Sequence, residues 1–391
     1  MASDGGLTGP GAADRAAGWF GECYGRDPEG VWHAPGRVNL VGEHTDYNEG
    51  FVLPFAIGQG VCAAASRRGD GNLEVRSRQA PAPPTAAPLA WLAPGSVTGW
   101  AAYPAGVAWA LREAGHRLSG TSIAFDGDLE RGGGLSSSAA LECATALALD
   151  ELHGLGVPRR ELAALARVAE NEFAGVPAGI MDQSASLLCE EGHALLLDCR
   201  SGEGSAVPFD LAAAGLVLLV IDTRVPHALS DGRYAVRRRD CEEAARALGA
   251  PSLRSVTDSP DAVTQIADPV LRRRARHVVT ENARVLEAAR LLRAGEAGRC
   301  GPLLSASHAS LRDDFEVSWP QADVVVGAAV AAGALGARMT GGGFGGSVIA
   351  LTEARRGGDV RVGVREAFAG RSWRPPRFLD AVPSAAARRL R

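Results

Sequence analysis

Apolar and polar positions alternate most clearly between residues 32 and 78, and this two-residue period predicts a strand-rich segment. Residues 79–94, which are rich in proline and alanine, predict a loop. Three segments then predict helices, over 100–115, 138–152 and 158–174. Pro158 lies near the start of the third helix and Gly175 lies just past its end, as is common at helix boundaries.

The second half of the chain mixes strands and helices in another order. Strands are predicted over 194–199 and 216–222, followed by helices over 234–248, about 271–294 and 321–333. The polar segment 200–210 predicts a linker, which divides the chain into domains 1–205 and 206–391. A chain of 391 residues is longer than a single hydrophobic core usually supports. Because no regular βαβ period occurs, the pattern favours an α+β fold.

Composition and charge are those of an ordinary globular chain. Hydrophobic residues make up 46% and the net charge is −4, which argues against a nucleic-acid partner. The longest apolar runs, around 211–221 and 324–337, are too short to span a membrane. The seven scattered cysteines form no CxxC pair, so reduced thiols in the cytoplasm are expected. Residues 1–14 lack the features of a secretory signal and predict a loose tail, and we expect a monomer.

The chain contains no lysine, so all 41 basic residues are arginine. This excludes a Walker-A lysine, the catalytic lysine of protein kinases and a pyridoxal-phosphate Schiff base. Any phosphate chemistry must therefore use glycine-rich loops, helix ends, arginine and metal ions.

The most informative polar segment is GRVNLVGEHTDYNEG, residues 36–50. It predicts a strand that ends in a polar turn. Glu43 and Asp46 accept hydrogen bonds, Arg37 only donates, and His44 can do either. This mixture suits a polyhydroxylated ligand. A metal site is a competing interpretation, weakened because no second His or Cys lies at a ligand spacing.

A second segment, GGGLSSSAA from Gly132, leads directly into an alanine- and leucine-rich helix. Glycines let the backbone approach a ligand closely, and free N–H groups at a helix start attract anions. The serine hydroxyls add donors or ligands for Mg²⁺. An ordinary glycine-rich turn with a serine cap is the alternative.

Two further segments place carboxylates or glycines at the ends of elements. Glu170 closes a helix, and Asp182 follows the bend GVPAG, a pairing that suits a metal ligand and a base. A helix-capping role for Asp182 is the alternative. The segment ARMTGGGFGGSVIAL, from Ala337, predicts a strand, a glycine-dense turn and a second strand. Its glycines suggest close contact with a ligand or another loop, whereas a plain hairpin bend is the alternative.

Together these motifs resemble the small-molecule kinases of the GHMP superfamily and, within it, the galactokinase family. GRVNLVGEHTDYNEG resembles the family's sugar signature, GGGLSSSAA its phosphate loop and MTGGGFGGS its third motif. The resemblance extends from about Trp32 to Phe378. It implies two domains with the active site between them: an N-terminal domain like ribosomal protein S5 domain 2 and a ferredoxin-like C-terminal domain. It also implies ATP-dependent phosphorylation of galactose at C1, the first kinase step of the Leloir pathway.

The resemblance also assigns roles to individual residues. Asp182 corresponds to the catalytic base and Arg37 to the arginine beside it. The positions that correspond to galactose contacts are Glu43, His44, Asp46, Gly179 and Tyr234. Those that correspond to ATP contacts are Trp100, Tyr103, Gly132, Gly133, Gly134, Leu135, Ser136, Ser137 and Ser138. Ser138 and Glu170 correspond to the Mg²⁺ ligands.

Two positions depart from the family pattern, and two other functions stay open. Glu130 stands where proline is usual, and Gly342 stands where alanine is common. One alternative is a kinase for another acceptor, such as N-acetylgalactosamine, mevalonate or homoserine. The other is a non-catalytic sugar sensor, which the presence of Arg37 and Asp182 argues against.

Overall fold

The computed structural model describes residues 10–129, 132–226 and 232–391. The strands are β1 Gly30–Asn39, β2 Phe51–Val52, β3 Pro54–Arg68, β4 Asn72–Ser77, β5 Ala80–Pro88, β6 Gly120–Gly127, β7 His193–Asp198, β8 Glu203–Pro208, β9 Leu216–Asp222, β10 Gly336–Thr340, β11 Ser347–Glu353, β12 Arg377–Ala381 and β13 Arg388–Arg389. The helices are α1 Pro10–Tyr24, α2 Ala102–Glu113, α3 Ser137–His153, α4 Arg159–Val168, α5 Met181–Leu188, α6 Arg233–Ala247, α7 Pro269–Arg293, α8 Cys300–Asp313, α9 Pro320–Ala331 and α10 Gly357–Ala369.

A six-stranded sheet in the order β13-β1-β3-β6-β4-β5 organises the N-terminal half. Side chains alternate across β3, so that Ala63 and Ala65 join the main hydrophobic core while Cys62 and Ala64 join a smaller one. Phe20 of α1 belongs to the smaller core. Helices α2 to α5 cover the opposite face, and α3 packs against β1 and β3.

A four-stranded sheet in the order β10-β11-β9-β12 organises the C-terminal half. Strand β9 is buried on both faces: Leu218 and Val220 contribute to the main core, and Leu219 and Ile221 to a second core. The second core also contains residues of α6, α7 and α9. A smaller sheet pairs β2 with β7 and β7 with β8. The α+β fold expected from the pattern is confirmed.

Several local expectations were wrong. Residues 10–14 belong to α1 and not to a loose tail, because Ala12, Ala16 and Phe20 share one face that packs on the sheet. Residues 80–88, expected to be a loop, form β5. This strand lies at the edge of its sheet and, among the described strands, pairs with β4 alone; prolines, which lack an N–H, are tolerated in an edge strand.

The expected linker at 200–210 contains β8, which pairs along its length with β7. The proposed domain boundary between residues 205 and 206 therefore falls inside a strand. In addition, β13 at the C-terminus returns to pair with β1 of the N-terminal sheet. The division into domains 1–205 and 206–391 stays a prediction. Helices α1, α5, α8 and α10 were not predicted.

Candidate active site

One cleft gathers most of the residues that the motifs singled out. Its cavity of about 710 Å³ is lined by the following predicted site residues: Arg37, Glu43, His44, Asp46, Trp100, Tyr103, Gly132, Gly134, Ser136, Ser137, Ser138, Glu170, Gly179, Asp182 and Tyr234. Gly341 and Gly342, from the turn between β10 and β11, line it as well. Six segments that lie apart in sequence thus face one space.

An arginine–carboxylate pair lies where these segments meet. Arg37 Nε donates to Asp182 Oδ1 at 2.7 Å, and Arg37 Nη2 donates to Asp182 Oδ2 at 2.9 Å. Arg37 Nη1 donates to the carbonyl of Gly134 at 2.8 Å, and the Ser136 hydroxyl donates to Asp182 Oδ2. A bidentate, charge-assisted pair of this kind fixes the orientation of the carboxylate. The Arg37 side chain is only 6% exposed, whereas Asp182 is 27% exposed and faces the cleft.

The backbone around Gly36 explains how Arg37 reaches this position. The pairing of β1 with β3 shifts register between Pro35 and Arg37. A Cβ on Gly36 would lie 2.6 Å from the carbonyl oxygen of Leu135, so only glycine permits this approach. The Arg37 N–H donates to the same carbonyl at 3.2 Å. Strand β1 is thereby joined directly to the glycine–serine segment.

The glycine–serine segment wraps the start of α3. Gly132, Gly134 and Ser136 all have positive φ, at 78°, 75° and 58°. This conformation turns the backbone into the first turn of a 17-residue helix, where free N–H groups form an anion site. Glu130 lies outside the described residues.

Gly133 and Leu135 do not line the cavity, unlike their neighbours. The Gly133 carbonyl accepts a hydrogen bond from the Ser347 hydroxyl at 2.7 Å, and the Leu135 carbonyl accepts from Arg37. Both residues therefore hold the segment in place through their carbonyl groups. Their assignment as ATP contacts stays a prediction.

His44 has a positive φ of 64° and is buried. Its Nε2 lies 3.2 Å from the Gly342 carbonyl, which only accepts, so Nε2 carries the proton. Its Nδ1 then accepts from the Tyr47 hydroxyl at 2.9 Å. Burial holds the pKa of His44 well below its ordinary value, so the ring is neutral at physiological pH.

Glu43 is buried and contacts the C-terminal sheet. Its Oε1 accepts from the Gly341 N–H at 2.8 Å and from the Thr340 hydroxyl at 3.1 Å, and it lies 3.1 Å from Arg338 Nη2. Sequence reasoning missed Arg338 as a partner. The sequence feature that could have identified it is an arginine with apolar neighbours in the middle of the predicted strand.

Asp46 and Gly179 lie against each other. A Cβ on Gly179 would fall 1.6 Å from Asp46 Oδ2, so the carboxylate occupies the space of a side chain. Burial, followed by the nearby charge of Asp182, raises the pKa of Asp46 from 3.8 to about 6. Tyr234, in the first turn of α6, stacks near His44 with ring centroids 5.3 Å apart.

The Ser138 hydroxyl and the Glu170 carboxyl group both line the cleft and supply oxygen atoms of the kind that bind metal ions. Burial, then the charge of Asp182, raises the pKa of Glu170 from 4.5 to about 7, and hydrogen bonding from Ser138 opposes this rise. In the described ranges no group of three His, Cys, Asp or Glu residues could hold a metal ion. A hydroxyl and a carboxylate nevertheless fit Mg²⁺, which prefers oxygen, keeps several waters and takes phosphate oxygens as further ligands.

The far end of the cleft is more apolar. Trp100 packs edge-to-face on Phe125, with ring centroids 6.1 Å apart. Val97, Leu129 and Phe173 also line this end, together with Ser77 and Gln79. No motif marks these residues in the sequence, because strands and loops of separate segments bring them together.

Family models match three parts of the chain: a galactokinase galactose-binding signature at residues 19–67, a GHMP kinase N-terminal domain at 102–190 and a GHMP kinase C-terminal domain at 288–370. A galactokinase of Streptomyces coelicolor is 53% identical over 95% of this chain and 97% of its own length. A galactokinase of Mycobacterium tuberculosis is 47% identical over 90% of this chain and 98% of its own length.

Solved structures agree with these matches. The galactokinase of Lactococcus lactis, complexed with galactose, superposes with a TM-score of 0.92 at 34% identity and covers 97% of this chain and 100% of its own. Mevalonate kinase of Methanococcus jannaschii shares the fold, with a TM-score of 0.64 at 17% identity. The match covers 90% of this chain and 98% of the mevalonate kinase. The chain therefore belongs to the galactokinase family of the GHMP kinase superfamily and has that superfamily's two-domain fold.

Proposed function

We propose that this protein transfers the γ-phosphoryl group of ATP to the C1 hydroxyl of α-D-galactose, giving galactose 1-phosphate and ADP. One observation carries the proposal beyond family membership. The bidentate pair of Arg37 and Asp182 lies where a turn suited to a polyol meets a helix start suited to phosphate.

In this proposal Asp182 accepts the proton of the C1 hydroxyl. From the described residues, its Oδ1 receives one hydrogen bond, from Arg37, whereas Oδ2 receives two, from Arg37 and Ser136. Each carboxylate oxygen has two acceptor sites, so Oδ1 keeps one for the sugar hydroxyl. Arg37 orients the carboxylate and offsets charge on the transferring group. Phosphoryl transfer depends mainly on such positioning and charge stabilisation.

The nucleotide would lie along the start of α3. The segment from Gly132 to Ser138 would surround its phosphates, and Trp100 and Tyr103 would lie near the adenine. Ser138 and Glu170 would hold Mg²⁺, which supplies charge neutralisation on the phosphate oxygens when bound.

The sugar would lie between the turn of residues 43–46 and Tyr234, above Gly179. Asp46 is the strongest candidate to accept from the axial C4 hydroxyl that distinguishes galactose from glucose. Its carboxylate is held against Gly179, and a partner left unpaired in a closed site is costly. Both ring nitrogens of His44 are hydrogen-bonded to protein groups, so His44 would contact the sugar through the edge of its ring.

We also infer that the protein works in the cytoplasm as a monomer, and the state of its cysteines supports the cytoplasmic location. All seven cysteines are free thiols, and most are buried. Among the described helices none is long and apolar enough to cross a membrane.

A coupled ADP-release assay across sugars tests the proposal. With Mg²⁺ and ATP, we expect turnover with galactose and little or none with glucose, N-acetylgalactosamine, arabinose and mevalonate. Faster turnover with N-acetylgalactosamine would assign the protein to a related sugar kinase. Galactose binding without ADP release from any acceptor would favour a sensor.

A further inference from the structure

A chain of buried polar side chains lies behind the cleft. Gln183 Nε2 donates to Glu170 Oε2 at 2.7 Å and to Glu142 Oε2 at 3.0 Å. Gln183 and Glu142 are fully buried, and Glu170 is 3% exposed. Neither Gln183 nor Glu142 lines the cavity, and neither has a part in the reaction proposed above.

The Gln183 amide points its NH₂ group at both glutamates. It donates one hydrogen to each carboxyl group. Gln183 Oε1 and Glu142 Oε1 have no hydrogen-bond partner among the described residues. Burying such groups lowers stability relative to apolar side chains of similar volume. The arrangement therefore contributes little to folding.

The same three residues connect the elements that carry the proposed chemistry. Glu142 lies on α3, one turn beyond Ser138, and Glu170 lies in a wide helical turn over Ala169–Phe173. Gln183 follows Asp182 on α5. The hydrogen bond from Gln183 to Oε2 limits the directions in which the Glu170 carboxylate can turn.

We propose that Gln183, held in turn by Glu142, is a positioning residue that orients the Glu170 carboxylate toward Mg²⁺ on the bound nucleotide. This inference rests on the proposed function. Groups that orient a metal ligand typically contribute about 10- to 100-fold to metal affinity. The effect is expected in metal-dependent nucleotide binding, independently of turnover.

The test measures ADP affinity by calorimetry for the wild type and for Gln183→Leu, in Mg²⁺ and again in EDTA. The ratio of the ADP affinity in Mg²⁺ to the ADP affinity in EDTA measures the part of ADP binding that depends on the metal. In Gln183→Leu we expect this ratio to fall about tenfold. ADP affinity in EDTA and galactose affinity should stay within about twofold of wild type, because neither ligand contacts Gln183.

Matched variants separate positioning from packing. Glu142→Gln keeps an oxygen that accepts from Gln183 and should preserve the ratio, whereas Glu142→Leu removes it and should lower the ratio. Ser186→Ala removes a buried hydrogen bond on the same helix, to the Pro35 carbonyl. It should lower thermal stability and leave the ratio unchanged. If Gln183→Leu does not fold, the two Glu142 variants decide the question.

The outcomes distinguish this inference from the proposed function. A wild-type ADP affinity that is the same in Mg²⁺ and EDTA would remove the cation from the site and, with it, this inference. A wild-type ratio that Gln183→Leu leaves intact would overturn the positioning role alone. Equal losses in Mg²⁺ and EDTA would identify a packing defect and would overturn it as well.

Discussion

At the scale of single residues, the Arg37–Asp182 pair has more partners than its motifs suggest. Ser136, expected at the nucleotide, donates to the same Asp182 oxygen as Arg37. The Gly134 carbonyl accepts from the third nitrogen of Arg37. Residues assigned to the phosphates and residues assigned to the base therefore form one hydrogen-bonded group.

Replacing Asp182 with asparagine removes the proton acceptor while nearly preserving its shape. We expect kcat to fall by about 10²- to 10⁴-fold, the usual contribution of general base catalysis. Galactose affinity, measured by calorimetry, should change much less. Asp313→Asn is the control, since Asp313 is exposed and its ion pair among the described residues is with its neighbour Arg312. Turnover of Asp182→Asn close to wild type would contradict the assignment of the base.

The raised pKa of Asp46 predicts a pH dependence of sugar binding. Below about pH 6 the carboxyl is protonated and loses acceptor capacity, so galactose affinity should fall by up to about tenfold per pH unit. The raised pKa of Asp46 affects folding stability in the opposite direction. A pKa above the unfolded value contributes stability that is present below about pH 4 and lost as pH rises through about 6. Calorimetry from pH 5 to 8 checks the binding effect, and Asp46→Asn should give weaker binding with a flatter profile.

At the scale of elements, predicted and observed limits agree best where a local hydrophobic pattern follows a clear helix-start signal. Helix α3 was expected at 138–152 and spans Ser137–His153, because its alanine and leucine run follows a serine- and glycine-rich start. Strand β5 was missed because its prolines predict a loop, and only its edge position makes a strand possible. Local sequence does not report which strands lie at an edge.

The bend before α5 depends on a glycine for a steric reason. In Gly179→Ala the new methyl group would meet Asp46 Oδ2 and displace the carboxylate. We expect galactose affinity to fall by about 10- to 100-fold, equivalent to about 1.4–2.8 kcal/mol. Gly18→Ala in α1 is the control, because nothing lies within 4 Å of its added Cβ. Unchanged galactose affinity in Gly179→Ala would show that the carboxylate has room to move.

At the scale of the whole molecule, buried polar contacts join the sugar turn to the C-terminal half. Arg338 is fully buried and donates to the Leu40 carbonyl at 3.0 Å beside Glu43. Glu281 Oε1 accepts from the Gly42 N–H at 3.0 Å, and Asn282 Oδ1 accepts from the Phe51 N–H at 2.9 Å. The turn is thus held by side chains of β10 and α7, which lie far from it in sequence.

Removing Arg338 should destabilise the protein strongly, because it leaves Glu43 buried without its cation. For Arg338→Met we expect the free energy of unfolding to fall by about 3–5 kcal/mol. Arg312→Met, which breaks an exposed ion pair with Asp313, should change it by less than about 1 kcal/mol. Denaturant unfolding monitored by fluorescence measures both. Equal losses for the two variants would contradict the role of Arg338.

The amino-acid sequence alone was sufficient for the family, the mixed fold and most of the polar residues that face the cleft, because these depend on short motifs and local periodicity. The segment GRVNLVGEHTDYNEG brings Arg37, at the end of a strand, close in sequence to Glu43, His44 and Asp46 in the following turn. Only the tertiary structure decided their partners. Arg338 beside Glu43, Gly179 against Asp46 and Gln183 between two glutamates join residues far apart in sequence, and such contacts leave no local pattern.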